Sequence, residues 1–221
     1  MALCIQRYMR EGTKYRVVDF GSRISPPQSD SHRDLLSDHD HEYTGVDIRP
    51  GRNVDLVMEK PYRVPLKSGS ADIVLAGQVF EHVPFFWASF LELARVLKPH
   101  GYLFMTVPSR GHVHSIHDCW RYYPDGLRAM AAFSGLDLRE AYTDFPPVRV
   151  RKRHDYASID TANYYWGDTV GVFQKPARYP SVRIGLVRAV LLWWANRIDD
   201  LAETPPPPGF TRDDVLAVRD R

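Results

Sequence analysis

The sequence has few cysteines and no long uncharged apolar run, and both shortages narrow the class of protein. Two cysteines among 221 residues, Cys4 and Cys119, give no disulfide framework and are typical of a reducing compartment. No uncharged apolar run approaches the roughly 20 residues that span a bilayer. Residues 1–10 carry polar and charged side chains where a signal peptide has its apolar core. We therefore expect a cytoplasmic protein without an integral membrane segment.

A strong excess of one charge is also missing. The net charge of +2 gives no indication of a nucleic-acid partner, although residues 149–154 are basic. RNA binding by that segment is an open alternative, but we interpret residues 144–166 as a solvated insertion whose aromatic side chains suit stacking on sugars. We predict a main domain over residues 1–175, an amphipathic helix within 176–204 and a flexible tail over 205–221.

The apolar runs alternate between strand and helix character. Strands are predicted over residues 16–20, 43–47, 54–58, 71–76, 102–107, 136–142 and 168–173, and helices over 31–37, 84–97, 124–133 and 182–201. The run at 71–76 is almost continuously apolar, as expected for a central parallel strand that is buried on both faces. This order predicts a doubly wound α/β fold with a mostly parallel, Rossmann-like seven-stranded sheet and helices on both faces.

The first two predicted strands end in residues that suit a nucleotide. Gly21 follows the first strand, and without a Cβ it allows a ligand to approach the backbone closely. Asp47 ends the second strand and can accept two hydrogen bonds from a ribose diol. Since open α/β sheets bind ligands at the carboxyl ends of their strands, this pairing predicts a nucleotide site. The alternative is an ordinary strand and turn in which Asp19 caps a helix.

The glycine-rich fingerprint of dinucleotide sites, G-x-G-x-x-G, is absent. Arg23 stands two positions after Gly21, and Pro26 and Pro27 follow without backbone N–H groups that could hold a pyrophosphate. We therefore expect a nucleoside ligand without a diphosphate, rather than NAD or FAD.

Two further motifs carry a family resemblance. Phe80-Glu81-His82-Val83 and the segment 95–101 stand in the order and spacing typical of class I S-adenosylmethionine-dependent methyltransferases, and residues 15–140 resemble the small-molecule and sugar O-methyltransferases among them. The chain departs from the family at Arg23, where a second glycine is usual. The resemblance implies S-adenosylmethionine as cofactor, with Asp19 and Gly21 at its methionine end and Asp47 on the ribose. The full set of implied cofactor residues is Asp19, Phe20, Gly21, Ser22, Asp47, Ile48, Met58, Glu59 and Gln78.

The segment after the fifth strand resembles a region of bacterial methyltransferases that modify sugars and secondary metabolites. It contains His112, His114 and His117 beside Asp118, and a neutral histidine can take the proton of an attacking hydroxyl. We expect His114, and next His117, to be the base, with Asp118 as its orienting partner or as a ligand of magnesium. The predicted acceptor-binding residues are Glu81, His82, Trp120, Arg121 and Tyr123.

The predicted reaction is O-methylation of a sugar or oligosaccharide hydroxyl, and the resemblance of the segment that begins at Asp118 implies O1 of a methylated mannoside as the specific candidate. Three alternatives stay open at this point. The acceptor is another small hydroxylated metabolite, or the protein binds a nucleoside without chemistry, or the named side chains have structural roles in a solvated loop, a turn and a packed core. The apolar stripe of the 182–201 helix must be covered by the domain itself or by a second copy in a homodimer.

Overall fold

The computed structural model describes residues 1–24, 29–111, 114, 117–144, 166–198 and 209. They form a seven-stranded sheet in the order β3-β2-β1-β4-β5-β7-β6, in which only β7 runs antiparallel to its neighbours. The strands are β1 Tyr15–Phe20, β2 His41–Asp47, β3 Leu56–Val57, β4 Ala71–Gly77, β5 Leu97–Arg110, β6 Asp137–Thr143 and β7 Gly167–Gln174. Helices flank the sheet, so the predicted α/β, Rossmann-like fold is confirmed.

Helices cover both faces of the sheet and enclose two cores. The helices are α1 Ala2–Tyr8, α2 Phe86–Val96, α3 Pro124–Ser134 and α4 Ser181–Ala195, with short 3-10 turns at Asp34–Leu36 and Phe80–His82. The smaller core lies under α1 and the first 3-10 turn, and the larger lies under α2 and α3. Strand β4 contributes to both cores, which explains its continuous apolar run.

Helix α3 shows how local sequence sets an element's limits. Pro124 occupies its first turn, where a missing N–H costs no hydrogen bond, and Gly135 ends it with a left-handed φ of +73°. The predicted helix over 31–37 is reduced to a 3-10 turn, and the N-terminal helix α1 was not predicted. The interior of the 144–166 segment and all of the 205–221 tail except Gly209 lie outside the described residues, so the predicted domain division stays a prediction.

Helix α4 is only partly covered by the domain. Arg188 pairs with Glu92 of α2 at 2.7 Å, and the Trp194 ring lies 5.3 Å from that of Phe85. Apolar side chains on its other side remain exposed, among them Val182 and Trp193. Self-packing therefore accounts for one face, and the homodimer stays a prediction that light scattering at several concentrations tests. None of the described helices has the length and apolarity required to cross a bilayer.

Candidate functional site

A cavity of about 630 Å³ opens at the carboxyl edge of the sheet, where β1, β2 and β4 end. Eight of the nine predicted cofactor residues line it, namely Asp19, Phe20, Gly21, Ser22, Asp47, Ile48, Met58 and Gln78. Glu59 is exposed and does not line it. His82 and His117 line the same cavity, so the structure brings two of the predicted acceptor-side residues to the predicted nucleotide pocket.

Asp47 is held in a fixed orientation before any ligand arrives. Its Oδ1 accepts the backbone N–H of Arg49 at 3.0 Å, and its Oδ2 accepts that of Arg23 at 3.2 Å. Each carboxylate oxygen has a second lone pair, which is available to a hydroxyl. A diol facing Asp47 would therefore meet two oriented acceptors.

The first turn of the site requires glycine at one position only. Gly21 has φ of +79°, and a Cβ there would lie 2.4 Å from the Val79 side chain. Arg23, at the position of the family's second glycine, has no such positive φ. Its backbone instead helps to hold Asp47. The missing glycine is therefore compatible with a formed turn.

Asp19 is more buried, and has more side-chain partners, than the sequence predicts. The carboxylate is almost fully buried, with Oδ2 accepting the Tyr43 hydroxyl at 2.5 Å and Oδ1 lying 3.0 Å from His32 Nδ1. The His32 ring also rests on Gly77, where a Cβ would come within 2.5 Å of it. His32 lines the cavity and was missed, because no sequence pattern connects the β1–β2 loop to the end of β4.

Gln78 follows β4 in a left-handed conformation with φ of +51°. Its backbone N–H donates to Thr106, and its side-chain amide donates to Asp168 Oδ1 at 3.1 Å. These contacts fix the residue at the wall of the cavity, and its predicted role toward the cofactor stays a prediction. The strained backbone at this point is typical of a functional position.

Glu81 has an unusual environment. Its side chain is 0% exposed, and neither carboxylate oxygen has a hydrogen-bond partner among the described residues. Burial raises the pKa of this carboxyl to about 8. The backbone of Glu81 is tied down separately, since its carbonyl accepts the N–H of Cys119 at 2.7 Å.

Two histidines gather beside Glu81. His82 Nε2 lies 3.6 Å from Glu81 Oε1, and the His82 and His114 ring centroids are 4.9 Å apart. Nδ1 of His82 lies 2.5 Å from the carbonyl oxygen of His117. Burial lowers the pKa of His114, so its imidazole is neutral near pH 7.

Asp118 organises the loop that carries His114. It accepts a two-pronged contact from the Arg121 guanidinium, and its Oδ2 also accepts the His114 backbone N–H at 3.0 Å. Burial opposes the charge on Asp118, but the Arg121 hydrogen bond and the His114 amide outweigh it and lower the carboxyl pKa. The same Oδ2 lies 2.9 Å from His114 Nδ1 but off the line of a hydrogen bond. Its oxygens are thus already occupied by protein donors.

The aromatic residues of this loop divide into two groups. The Trp120 indole N–H donates to the carbonyls of Val83 and Pro84, and its ring packs on Phe86 and Trp87. Tyr123, by contrast, is 58% exposed. The packing of Trp120 suits a structural role, and the predicted acceptor contacts of Trp120, Arg121 and Tyr123 stay predictions. His112 lies outside the described residues.

Comparison with known proteins finds a domain match in part of the chain and several solved structures with a similar fold. A family model for a methyltransferase domain matches residues 27–105, about a third of the chain. No curated protein sequence matches the chain. Among solved structures, the 1,6-didemethyltoxoflavin N1-methyltransferase of Burkholderia thailandensis, which contains S-adenosylhomocysteine, has a TM-score of 0.59 at 12% identity and covers 79% of this chain and 76% of its own.

Two further solved structures share the fold. A candidate methyltransferase from Bacillus halodurans has a TM-score of 0.55 at 14% identity, covering 79% of this chain and 98% of its own. The [4+2]-cyclase SpnF has a TM-score of 0.55 at 17% identity, and the likeness covers 79% of this chain and 78% of its own. At these identities the likeness shows the fold alone, and SpnF shows that the fold hosts more than one chemistry. The comparisons thus give a methyltransferase-domain match over residues 27–105 and a shared fold.

Proposed function

We propose that the protein is an S-adenosylmethionine-dependent O-methyltransferase whose acceptor is a sugar or glycan hydroxyl. The observation that carries the proposal is the continuity of the cavity: oriented Asp47 and the Gly21 turn lie in one part, and His82 and His117 line the same space. A nucleoside cofactor and an acceptor would then meet within one enclosure.

The reaction places few demands on the protein beyond orientation and proton removal. A hydroxyl oxygen attacks the methyl carbon of the sulfonium, so an O–C bond forms as the S–C bond breaks. The bonding electron pair goes to sulfur, which becomes the neutral thioether of S-adenosylhomocysteine. The hydroxyl proton passes to a base. Holding oxygen, carbon and sulfur in line supplies most of the rate enhancement.

His114 is the best candidate for the base. Its lowered pKa keeps the imidazole neutral at the pH where a hydroxyl proton must be taken up. Asp118 lies beside it and would stabilise the imidazolium that results, which is the orienting role predicted for that carboxylate. His117 is the second candidate because it lines the cavity directly.

A polar acceptor is favoured by the side chains at this end of the cavity. His82 and His117 line the cavity and can form hydrogen bonds with hydroxyls, and exposed Tyr123, a few residues further along the chain, offers a face for a sugar ring. O1 of a methylated mannoside is the specific acceptor that we propose to test first. Another small hydroxylated metabolite is the competing acceptor class.

The cofactor assignment is tested by calorimetry with S-adenosylmethionine. Asp47→Ala should weaken binding by on the order of 2–4 kcal/mol, because a charged acceptor of two hydrogen bonds is lost. Asp125→Ala, at an exposed carboxylate in the first turn of α3, is the matched control and should bind normally. Equal affinity of the Asp47 variant and the wild type would remove this assignment.

The chemistry is tested by mass spectrometry of methyl transfer to a panel of sugars, glycans and phenols. With a competent acceptor, His114→Ala should lower kcat by roughly 10²–10⁴ while cofactor affinity stays nearly unchanged. The acidic limb of the pH–rate profile should disappear with it. Cofactor binding without transfer to any acceptor would favour a nucleoside-binding protein without chemistry.

A further inference from the structure

We propose that Glu81, His82 and His114 bind a divalent first-row transition-metal ion beside the acceptor end of the cavity. One ligand atom of each residue lies within 4.8 Å of the others, and Glu81 is the fully buried member. No other group of three such side chains stands this close together among the residues described by the structure.

Glu81 gives independent support for a cation at this place. Burying a carboxylate without a partner costs several kcal/mol, and buried charges in proteins are normally paired or bound to a metal. Both Glu81 oxygens lack a hydrogen-bond donor among the described residues. A cation at this point would satisfy them.

The tautomer of His82 leaves the lone pair of its Nε2 available to a cation beside Glu81. Its Nδ1 must carry a proton, since it contacts the carbonyl oxygen of His117 at 2.5 Å and a carbonyl only accepts. In the neutral ring Nε2 is therefore an acceptor, and it lies 3.6 Å from Glu81 Oε1, too far for a hydrogen bond. The Nε2 lone pair and a Glu81 oxygen thus lie close enough together to share one cation, which would take the place of the Glu81 proton.

His114 is the third proposed ligand, and Asp118 holds it in position. Asp118 lies 2.9 Å from His114 Nδ1 and also accepts the His114 backbone N–H. Imidazole ligands of metals commonly donate their second N–H to a carboxylate or a carbonyl. His82 has such a carbonyl, and Asp118 stands beside His114 Nδ1 without forming that hydrogen bond in this structure. Arg121 in turn holds Asp118 in place. Asp118 is thus a positioning residue rather than a ligand.

The ligand set decides the class of ion. Two imidazole nitrogens and one carboxylate suit zinc, manganese, iron or cobalt, whereas magnesium prefers oxygen ligands and keeps several waters. Ligand distances near 2.1 Å require the three side chains to draw in by roughly 1 Å. Three protein ligands leave a position open. If the proposed methyl transfer holds, an acceptor hydroxyl in that position would lose its proton more readily, and His117 rather than His114 would take it, because an imidazole whose lone pair binds the ion is no longer a base.

Zinc calorimetry on the chelator-treated full-length protein tests the site. The wild type should bind one equivalent of Zn²⁺. Glu81→Gln keeps the shape but loses the charge, and it should lower the affinity at least tenfold, as should His82→Ala. The matched control is His100→Asn, at an exposed histidine whose φ of +66° asparagine tolerates, and it should bind like the wild type.

A Co²⁺ absorption spectrum provides a readout that does not depend on activity. Visible bands typical of mixed nitrogen and oxygen ligation should appear in the wild type and be lost in Glu81→Gln, with folding of each variant checked by circular dichroism. Absence of stoichiometric binding, equal binding by wild type and Glu81→Gln, or binding of Mg²⁺ in place of Zn²⁺ would each overturn the proposal.

The same measurements separate the site from the proposed function. Zinc binding that depends on Glu81, without methyl transfer to any acceptor, would keep the metal site and reject the transferase role. Methyl transfer that persists unchanged in chelator, with no zinc binding, would keep the transferase and reject the metal site.

Discussion

Two glutamates eleven positions apart, Glu81 and Glu92, are buried to the same extent, but among the described residues only Glu92 has hydrogen-bond donors around its carboxylate. Glu92, 1% exposed, accepts from Arg95 and Arg188 at 2.7 Å each and from the backbone N–H of Val64 at 3.2 Å. Glu81, 0% exposed, has no donor among the described residues. Glu92, which the fold neutralises, ties α2 to its surroundings, whereas Glu81, without a donor among the described residues, is where we propose that a cation binds.

The largest expected effect comes from Glu92, because its network joins α2, α4 and the loop before β4. Glu92→Ala should lower the free energy of unfolding by about 3–5 kcal/mol, since two guanidinium groups lose their buried partner. Urea denaturation measures the change. Asp125→Ala, which breaks an exposed pair with Arg128, should cost less than about 1 kcal/mol. A loss of less than about 1 kcal/mol in Glu92→Ala as well would show that the Glu92 network does not stabilise the fold.

Glu81 should show the opposite behaviour in metal-free protein. Its pKa of about 8 in the folded state, against 4.5 for an ordinary glutamate, means that the folded form holds a proton that the unfolded form releases. Stability should therefore fall as the pH rises from 4.5 to 8, by on the order of 2–4 kcal/mol. Glu81→Gln should lack that fall. Parallel stability curves for the two proteins between pH 5 and 8 would contradict the assignment.

Lys175 is an intermediate case and should show a smaller effect. Its ammonium is buried and donates to the carbonyls of Ala94 and Leu97, while burial lowers its pKa from 10.5 to about 8. The unfolded chain thus binds the proton more strongly between pH 8 and 10.5. Relative to Lys175→Met, the wild type should gain about 1–2 kcal/mol of stability across that range. Thermal denaturation of both proteins at each pH measures the difference.

The fold could be predicted because its signals are local. A strand buried on both faces has a continuous apolar run, as β4 does, and an amphipathic helix such as α2 has a period that can be counted. Helix α1 was missed because seven residues are too short for a period. Strand β5 begins at Leu97, five residues before its predicted start, since residues 98–101 have the composition of a helix stop but extend the strand through a bulge.

The site could be predicted only in part, because only some of its residues are marked by local sequence signals. Gly21 and Asp47 stand at strand ends, so the rule for parallel sheets locates them from sequence. His32 was not predictable, because its contact with Asp19 depends on how the β1–β2 loop folds back. That Glu81 has no hydrogen-bond donor in the described part of the chain could not be predicted from sequence, since it depends on which donors the finished fold brings near.

The exposed thiol of Cys119 gives experimental access to this region. Cys4 is buried, so Cys119 is the one cysteine that a solution reagent reaches directly. Its backbone N–H donates to the Glu81 carbonyl, and a fluorescent or paramagnetic probe attached there would be mechanically coupled to the Phe80–His82 turn. Burial and the neighbouring Asp118 raise the pKa of this thiol, so alkylation should be slow at pH 7 and faster in alkaline buffer. A change in labelling rate when a ligand is added would then report occupancy of the region without any knowledge of the acceptor.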